Sequence, residues 1–215
     1  MMKMTNADAE AVRNGDSEYI LSKGANLYKL KQYDEAAEYY HLAGAMGNDT
    51  ALSNLGYCYL YGRHTEANTS LALQYFKLAA DRGNVDACYK LGDIFSRDKW
   101  KMKDPEMSVY YYKTAAELLL GKDWMNEDAV FNCDVLNYYP SICFALARGF
   151  MPEGVFSTYL YLAYQYLQHA RRGYCIEIQN GADFYETSLK AVDEMIRDKR
   201  FDTMRNDFID DFIPY

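Results

Sequence analysis

Apolar residues recur every three to four positions along most of the chain, the spacing of helices that bury one face. In the most regular stretch, Ala51, Leu55 and Tyr59 form one stripe that ends before Gly62. A polar loop follows, and a second stripe begins at Ala72. The pattern therefore predicts two helices joined by a loop and packed against each other.

Much of this pattern returns 36 residues later, as in the series Ala43, Ala79 and Ala115. A fixed period of this length is typical of solenoids, in which each repeat is one helical unit stacked on the next. The residues assigned to the repeat signature are Ala51, Leu55, Gly56, Tyr59, Ala72, Tyr75, Ala79, Ala87, Leu91, Gly92, Phe95, Tyr111 and Ala115. They predict an all-α fold, an α/α superhelical solenoid of antiparallel helix pairs with a C-terminal helical cap.

The phase of the repeat divides the chain. We expect an N-terminal extension at 1–15, four helix pairs within 16–174, an insertion at about 121–139, and capping helices with an acidic, aromatic tail at 175–215. The four pairs are expected at 16–48, 49–84, 85–120 and 140–174.

Two segments depart from the period. The insertion is rich in apolar residues, so we expect it to pack, with a short helix near 126–136. After Gly173 the period ends, and 182–197 reads as one amphipathic helix with Phe184, Leu189, Val192 and Ile196 as its apolar face. The tail Phe201 to Ile213 is either the last helix of the cap or a docking peptide for another protein.

Residues of the second and third repeats carry a family resemblance. The pattern Ala-x-x-x-Leu-Gly-x-x-Tyr, a loop, and then Ala-x-x-Tyr-x-x-x-Ala-Ala is present from Ala51 to Ala80, and in part from Ala87 to Ala116. The chain thus resembles the Sel-one-like repeat (SLR) family of the tetratricopeptide-repeat (TPR) superfamily over about 16–174. The resemblance implies an adaptor or scaffold for protein partners, with no catalysis and no cofactor, and its matched residues are packing residues.

Composition narrows the classes of function. The chain has 31 acidic and 23 basic side chains and a net charge of −8. Because nucleic-acid binding depends on clustered Lys and Arg, this balance disfavours a nucleic-acid partner. The single dense basic run, Arg97 to Lys103, is expected to be a solvated loop, and contact with a partner is its alternative reading.

The sequence also favours a cytoplasmic protein. No segment approaches about 18 consecutive apolar residues, and the first residues lack a signal-peptide pattern, so we expect no membrane association. Five cysteines without a CxxC motif indicate reduced thiols.

Catalytic and metal-binding patterns are missing from the sequence. The three histidines, His41, His64 and His169, are far apart and lie at no zinc-ligand spacing. No phosphate-binding or nucleophile motif occurs. We therefore expect a binding protein and not an enzyme.

A binding surface follows from the helical phase. With Leu55, Gly56 and Tyr59 turned inward, a second stripe on each first helix should line the concave face, as in tetratricopeptide-type arrays. Its residues are Ser53, Tyr57, Tyr61, Tyr89, Asp93 and Arg97. We expect this face to bind a partner peptide or helix. Two alternatives are open. In the first, Tyr57 and Tyr89 only cover the seam between neighbouring first helices. In the second, this protein is a regulatory subunit or effector that contacts its partner through the insertion at 121–139 and its C-terminal tail.

Overall fold

The computed structural model describes residues 4–154 and 156–207. These residues contain twelve α-helices and no β-strand, which confirms the predicted all-α fold of successive helix pairs. The helices are α1 (Asn6–Asn14), α2 (Ser17–Lys29), α3 (Tyr33–Ala45), α4 (Asp49–Tyr61), α5 (Thr69–Ala80), α6 (Val85–Ser96), α7 (Pro105–Leu120), α8 (Glu127–Phe131), α9 (Pro140–Gly149), α10 (Leu160–Gln179), α11 (Glu186–Ile196) and α12 (Asp202–Asp207). They form two compact units, which meet in sequence between Lys103 and Asp104.

In the first unit, α2 packs against α3 and α4 against α5, each pair joined by a short loop. The N-terminal extension is itself helical: it contains α1, which packs on α2. Asp8 of α1 is fully buried and accepts hydrogen bonds from Lys23 Nζ at 2.5 Å and the Tyr39 hydroxyl at 2.9 Å. Burial alone would raise the pKa of Asp8, but bonds from Lys23, Thr5 and Tyr39 hold it well below its usual range.

Glycine in the first helix of each pair makes room for an aromatic ring of the second. A Cβ built on Gly56 would lie 2.6 Å from the ring of Phe76. One built on Gly24 would lie 2.8 Å from the ring of Tyr40. Both rings are buried, so the helices of a pair approach to a distance that no larger residue permits.

Two asparagines 36 positions apart join successive helix pairs. Asn48 and Asn84 are buried, and each caps its own helix by accepting from the backbone of Ala51 or Ala87. The Asn84 amide also donates to Asp49 Oδ2 at 2.7 Å, and the Asn48 amide donates to Glu18 Oε1 at 2.6 Å. Each side chain thus satisfies a helix end and bonds to an acidic residue at the start of the preceding pair's first helix.

In the second unit, α9 packs along α10 within the range expected for a fourth pair, 140–174. The two helices bury Ile142, Leu146, Ala147, Ala163, Tyr166, Leu167 and Ala170, and Phe150, which follows α9, is buried as well. The short helix predicted in the insertion is present as α8.

The insertion is fixed to one face of α10. The Tyr166 hydroxyl donates to the Trp124 carbonyl at 2.6 Å, and His169 Nε2 lies 2.7 Å from the Val130 carbonyl. A Cβ at Gly173 would collide with the carbonyl of Asn137. The helix extends beyond the point where the period ends: α10 continues to Gln179, and Gly173 is a site of close approach by the insertion.

The C-terminal helices also differ from the expectation. Residues 183–185 form a 3-10 turn and α11 starts only at Glu186, so Phe184 is outside the apolar face and 76% exposed. Val192 and Phe201 are fully buried, and Phe201 packs on Tyr164 of α10. The expected tail overlaps α12, and its part from Phe208 onward lies outside the described residues.

Replacing Gly56 with alanine tests the ring-on-glycine contact. The change raises helix propensity by about 1 kcal/mol, but the new methyl group meets Phe76 and should cost more than that gain. We expect a net loss of about 1–2 kcal/mol in chemical denaturation followed by circular dichroism. In the double variant Gly56→Ala/Phe76→Leu the losses should be less than additive. A more stable Gly56→Ala protein would contradict the contact.

Asn84→Ala tests the link between pairs. The variant removes a helix cap and a bond to Asp49, so it should cost about 2 kcal/mol. The matched control is Asn68→Ala, because exposed Asn68 caps α5 through Leu71 N alone. That control should cost about 1 kcal/mol or less. Equal losses in the two denaturation curves would show that the link contributes nothing.

The buried His169 should make stability depend on pH. Burial lowers its pKa, although the bond to Val130 opposes the shift. In the unfolded chain the pKa of a histidine is about 6.5. Below this pH the unfolded chain binds more protons than the folded chain, so the free energy of unfolding falls as the pH drops. The His169→Gln variant keeps a donor toward Val130 and should weaken this dependence in melting curves.

Burial lowers the pKa of His41 and His64 as well, so their contributions have the same sign. Some pH dependence should therefore persist in the His169→Gln variant. An NMR titration of the three imidazoles assigns each pKa. A His169 pKa above the unfolded value would overturn the prediction.

Candidate functional site: a tyrosine face on the first unit

Tyr57 and Tyr61 lie one turn apart on α4, and their rings are stacked at 6.3 Å between centroids. Phe76 packs against Tyr57 in a T-shaped arrangement with 5.1 Å between ring centroids, and Phe76 itself contacts Gly56. Tyr57 is thus half-buried and held from below, while Tyr61 is 44% exposed. The contact that sets the spacing of the helix pair also fixes the direction of these two rings.

Lys90 joins this surface to the next first helix, α6. Its Nζ lies 5.2 Å from the ring centre of Tyr57 and 5.4 Å from that of Tyr89. The Lys90 side chain is only 10% exposed. Because a poorly hydrated cation is attracted more strongly to ring faces, Lys90 binds the two tyrosines into one surface.

Asp93 and Arg97 complete the arrangement. Asp93 Oδ2 lies 3.7 Å from Lys90 Nζ, and Asp93 Oδ1 lies 2.5 Å from Arg97 Nη2. Arg97 follows the last residue of α6 in an extended conformation, and its side chain is 46% exposed. The buried Asp93 carboxylate therefore lies between Lys90 and Arg97 and fixes the position of the exposed Arg97 side chain. We call Tyr57, Tyr61, Tyr89 and Arg97, with Lys90 and Asp93 beneath them, the tyrosine face.

Two residues expected on the binding surface are buried instead. Ser53 is 3% exposed and Asp93 is 4% exposed, so neither offers its side chain to a partner. Ser53 is buried on α4 together with Leu52 and Leu55, whereas Tyr89, the residue 36 positions later, is half-buried. Tyr57 and Tyr89 are half-buried, so each of them leaves part of its surface in solvent.

Lys90 is the residue of this site that the sequence reasoning missed. It is adjacent to the core residue Leu91, a position where a lysine is easily taken for a solvated charge. The available signal was the charge spacing: Lys90, Asp93 and Arg97 are three and four residues apart, the separations that bring side chains together on a helix.

A second cluster of the first unit combines imidazoles and phenols. The Tyr59 hydroxyl lies 3.3 Å from His41 Nε2, and the Tyr59 ring packs on His64 at 4.7 Å and on Tyr75 at 5.3 Å. Within residues 4–154 and 156–207, no three or more His, Cys, Asp or Glu side chains come together as metal ligands. These contacts join α3, α4, α5 and the loop that follows α4.

The cysteines are all free. Burial raises the pKa of the Cys58 and Cys88 thiols to about 11, so these two are protonated at neutral pH and act as small apolar residues. In the described part of the chain, no helix combines the length and hydropathy needed to cross a membrane.

Comparisons with known proteins agree with the geometry of the first helix pairs. The Sel1 repeat model matches residues 15–48, 50–84 and 85–118. No curated protein sequence matches the chain.

Two similar solved structures are SLR proteins. A Sel1 repeat protein from Oxalobacter formigenes is 22% identical with a TM-score of 0.49, over 78% of this chain and 62% of its own. A protective antigen of uropathogenic Escherichia coli strains that displays an SLR fold is 17% identical with a TM-score of 0.48, over 82% of this chain and 43% of its own. This chain thus spans less than two thirds of either protein. The three consecutive matches show that residues 15–118 are Sel1 repeats.

Proposed function

We propose that this protein is a scaffold or adaptor that binds a peptide or helix of a protein partner on the tyrosine face. The Sel1 repeat family suggests a protein–protein interaction scaffold in general, and such repeat proteins are generally not enzymes. The concave face of the array is the place that the repeat geometry favours for this contact.

The observation that supports the proposal is the position of Lys90. It lies against both Tyr57 and Tyr89, so rings from two successive first helices act as one surface. Tyrosine rings held in this way supply contact area while losing little side-chain freedom on binding, as hot-spot residues do. Arg97 adds a half-exposed guanidinium at the edge for a carboxylate or a backbone carbonyl of the partner.

A second candidate is a contact through the insertion at 121–139, in a regulatory subunit or effector. It is supported by four large apolar side chains that the insertion leaves in solvent. These are Met125 at 45%, Phe131 at 41%, Val135 at 50% and Tyr138 at 74% exposure. Apolar exposure of this kind, on a segment that is otherwise packed, is typical of interaction surfaces.

Affinity capture with quantitative mass spectrometry tests the first candidate. Partners are first identified with the unaltered chain, and the capture is repeated with the variant Tyr61→Ala/Tyr89→Ala/Arg97→Ala. These changes spare Tyr57, which packs on Phe76. The loss of a hot spot is worth about 2 kcal/mol or more, so capture of the partner should fall by about 30-fold.

Tyr19→Ala is the matched control, because Tyr19 is an exposed tyrosine of the same unit on α2. Its captured partners should be unchanged. The variant Val135→Ser/Tyr138→Ser tests the second candidate in the same experiment. If the triple variant keeps every partner, the tyrosine face is not the binding site, and loss on the insertion variant would then favour the second candidate.

A further inference from the structure

The second unit contains a cavity of about 360 Å³ that the repeat pattern does not create. Its apolar lining comes from α7, the insertion, and the chain that follows α9. The lining side chains are Val109, Trp124, Met125, Phe150 and Phe156. The volume is at the low end of ligand pockets, which suits one bulky side chain and not an extended cofactor.

The aromatic walls of this cavity are fixed by their neighbours. The rings of Trp124, Phe150 and Phe156 lie 4.9–5.7 Å from one another. Phe150 is stacked on Tyr166, whose hydroxyl bonds to the Trp124 backbone. A Cβ at Gly149 would lie 2.5 Å from the ring of Phe156, so that ring is seated on a glycine. The cavity is therefore preformed, and a guest would not have to order it.

The charged residues that line the cavity are two lysines and one glutamate, although the chain as a whole carries −8. Lys113, Glu117 and Lys122 are the exposed charged residues among its lining. Lys113 and Glu117 form an ion pair at 3.6 Å. In the described part of the chain, Lys122 makes no ion pair within 4.0 Å, so one cation is available to a guest.

We propose that this cavity, the aromatic pocket, is the docking site for a protein segment in which a bulky aromatic side chain is flanked by carboxylates. The ring enters the pocket against Trp124 and Phe156, and a carboxylate meets Lys122. Met125, which is exposed and also lines the cavity, extends the apolar contact to neighbouring side chains of the guest. The inference rests on the second candidate function, because Lys122, Trp124 and Met125 belong to the insertion, and it names the chemistry of that partner.

The chain offers its own optical reporter. It has two tryptophans, Trp100 in the first unit and Trp124 in the pocket wall. In a Trp100→Phe protein, tryptophan fluorescence reports on Trp124 alone. The probe is the synthetic peptide Phe-Ile-Asp-Asp-Phe-Ile-Pro-Tyr, which copies residues 208–215, carries the required chemistry and contains no tryptophan.

Titration of the full-length Trp100→Phe chain with this peptide should give a saturable change in Trp124 emission.

Lys122→Glu should weaken binding by about fivefold or more at about 50 mM salt, and by much less at about 500 mM salt. Ser157→Phe places a ring at the cavity and should abolish binding. Lys77→Glu, an exposed lysine of the first unit, is the control and should change nothing. A peptide with both aspartates replaced by lysine should not bind.

Three results would overturn the proposal. One is the absence of saturable binding up to about 0.5 mM peptide. Another is equal affinity in the Lys122→Glu, Ser157→Phe and unaltered proteins. The third concerns the tail: if a chain ending at Asp207 binds the peptide about tenfold more tightly, the chain's own tail occupies the pocket in place of a partner. Unchanged affinity in that chain supports a partner segment.

The pocket proposal can be wrong while the second candidate function is correct, and the experiments distinguish the two cases. Val135 and Tyr138 are not among the residues that line the cavity. If the Val135→Ser/Tyr138→Ser variant loses its captured partners while the peptide never binds, the insertion is a contact surface and only the pocket proposal is wrong.

Discussion

The first unit depends on one contact, an aromatic ring of the second helix seated on a glycine of the first. Phe76 on Gly56 and Tyr40 on Gly24 repeat this arrangement in successive pairs. The glycine costs helix propensity, and burial of a whole ring offsets that cost. Because the ring lies in the seam, it also limits where neighbouring side chains can go. Tyr57 meets the edge of Phe76 and is directed away from the core, so the surface described here follows from the packing beneath it.

A second constraint decides where the regular array stops. Asn48 and Asn84 each follow a glycine with positive φ, and each bonds to an acidic residue of the preceding pair. At the corresponding place in the third repeat, 36 residues after Gly83 and Asn84, the chain has Leu119 and Leu120, the last residues of α7. A leucine provides neither the cap nor the amide donor, and the insertion begins after it. The next first helix, α9, starts with Pro140 and has no side-chain cap.

The sequence predicts the regular parts of this fold well because a packing contact that recurs in each repeat requires the same residue types at the same spacing. Helix pairs near 16–48 and 49–84 follow from glycine, alanine and tyrosine positions that face each other across the same seam. The sequence does not reveal that Gly173 admits the backbone of Asn137, because this contact depends on how the insertion packs on α10. Ser53 and Lys90 were missed for a similar reason, since the burial of a polar residue depends on its neighbours in space.

The attachment of the insertion to α10 has a consequence for how the second unit unfolds. In a regular array each repeat touches only its neighbours, and ends can fray without disturbing the middle. Here α10 contacts α8, α9, α11 and the 3-10 turns around them, so these elements share one central helix. None of these elements can separate from α10 without exposing part of that helix. The irregular half of the protein should therefore melt as a single cooperative block, while the regular half retains the graded opening of a linear array.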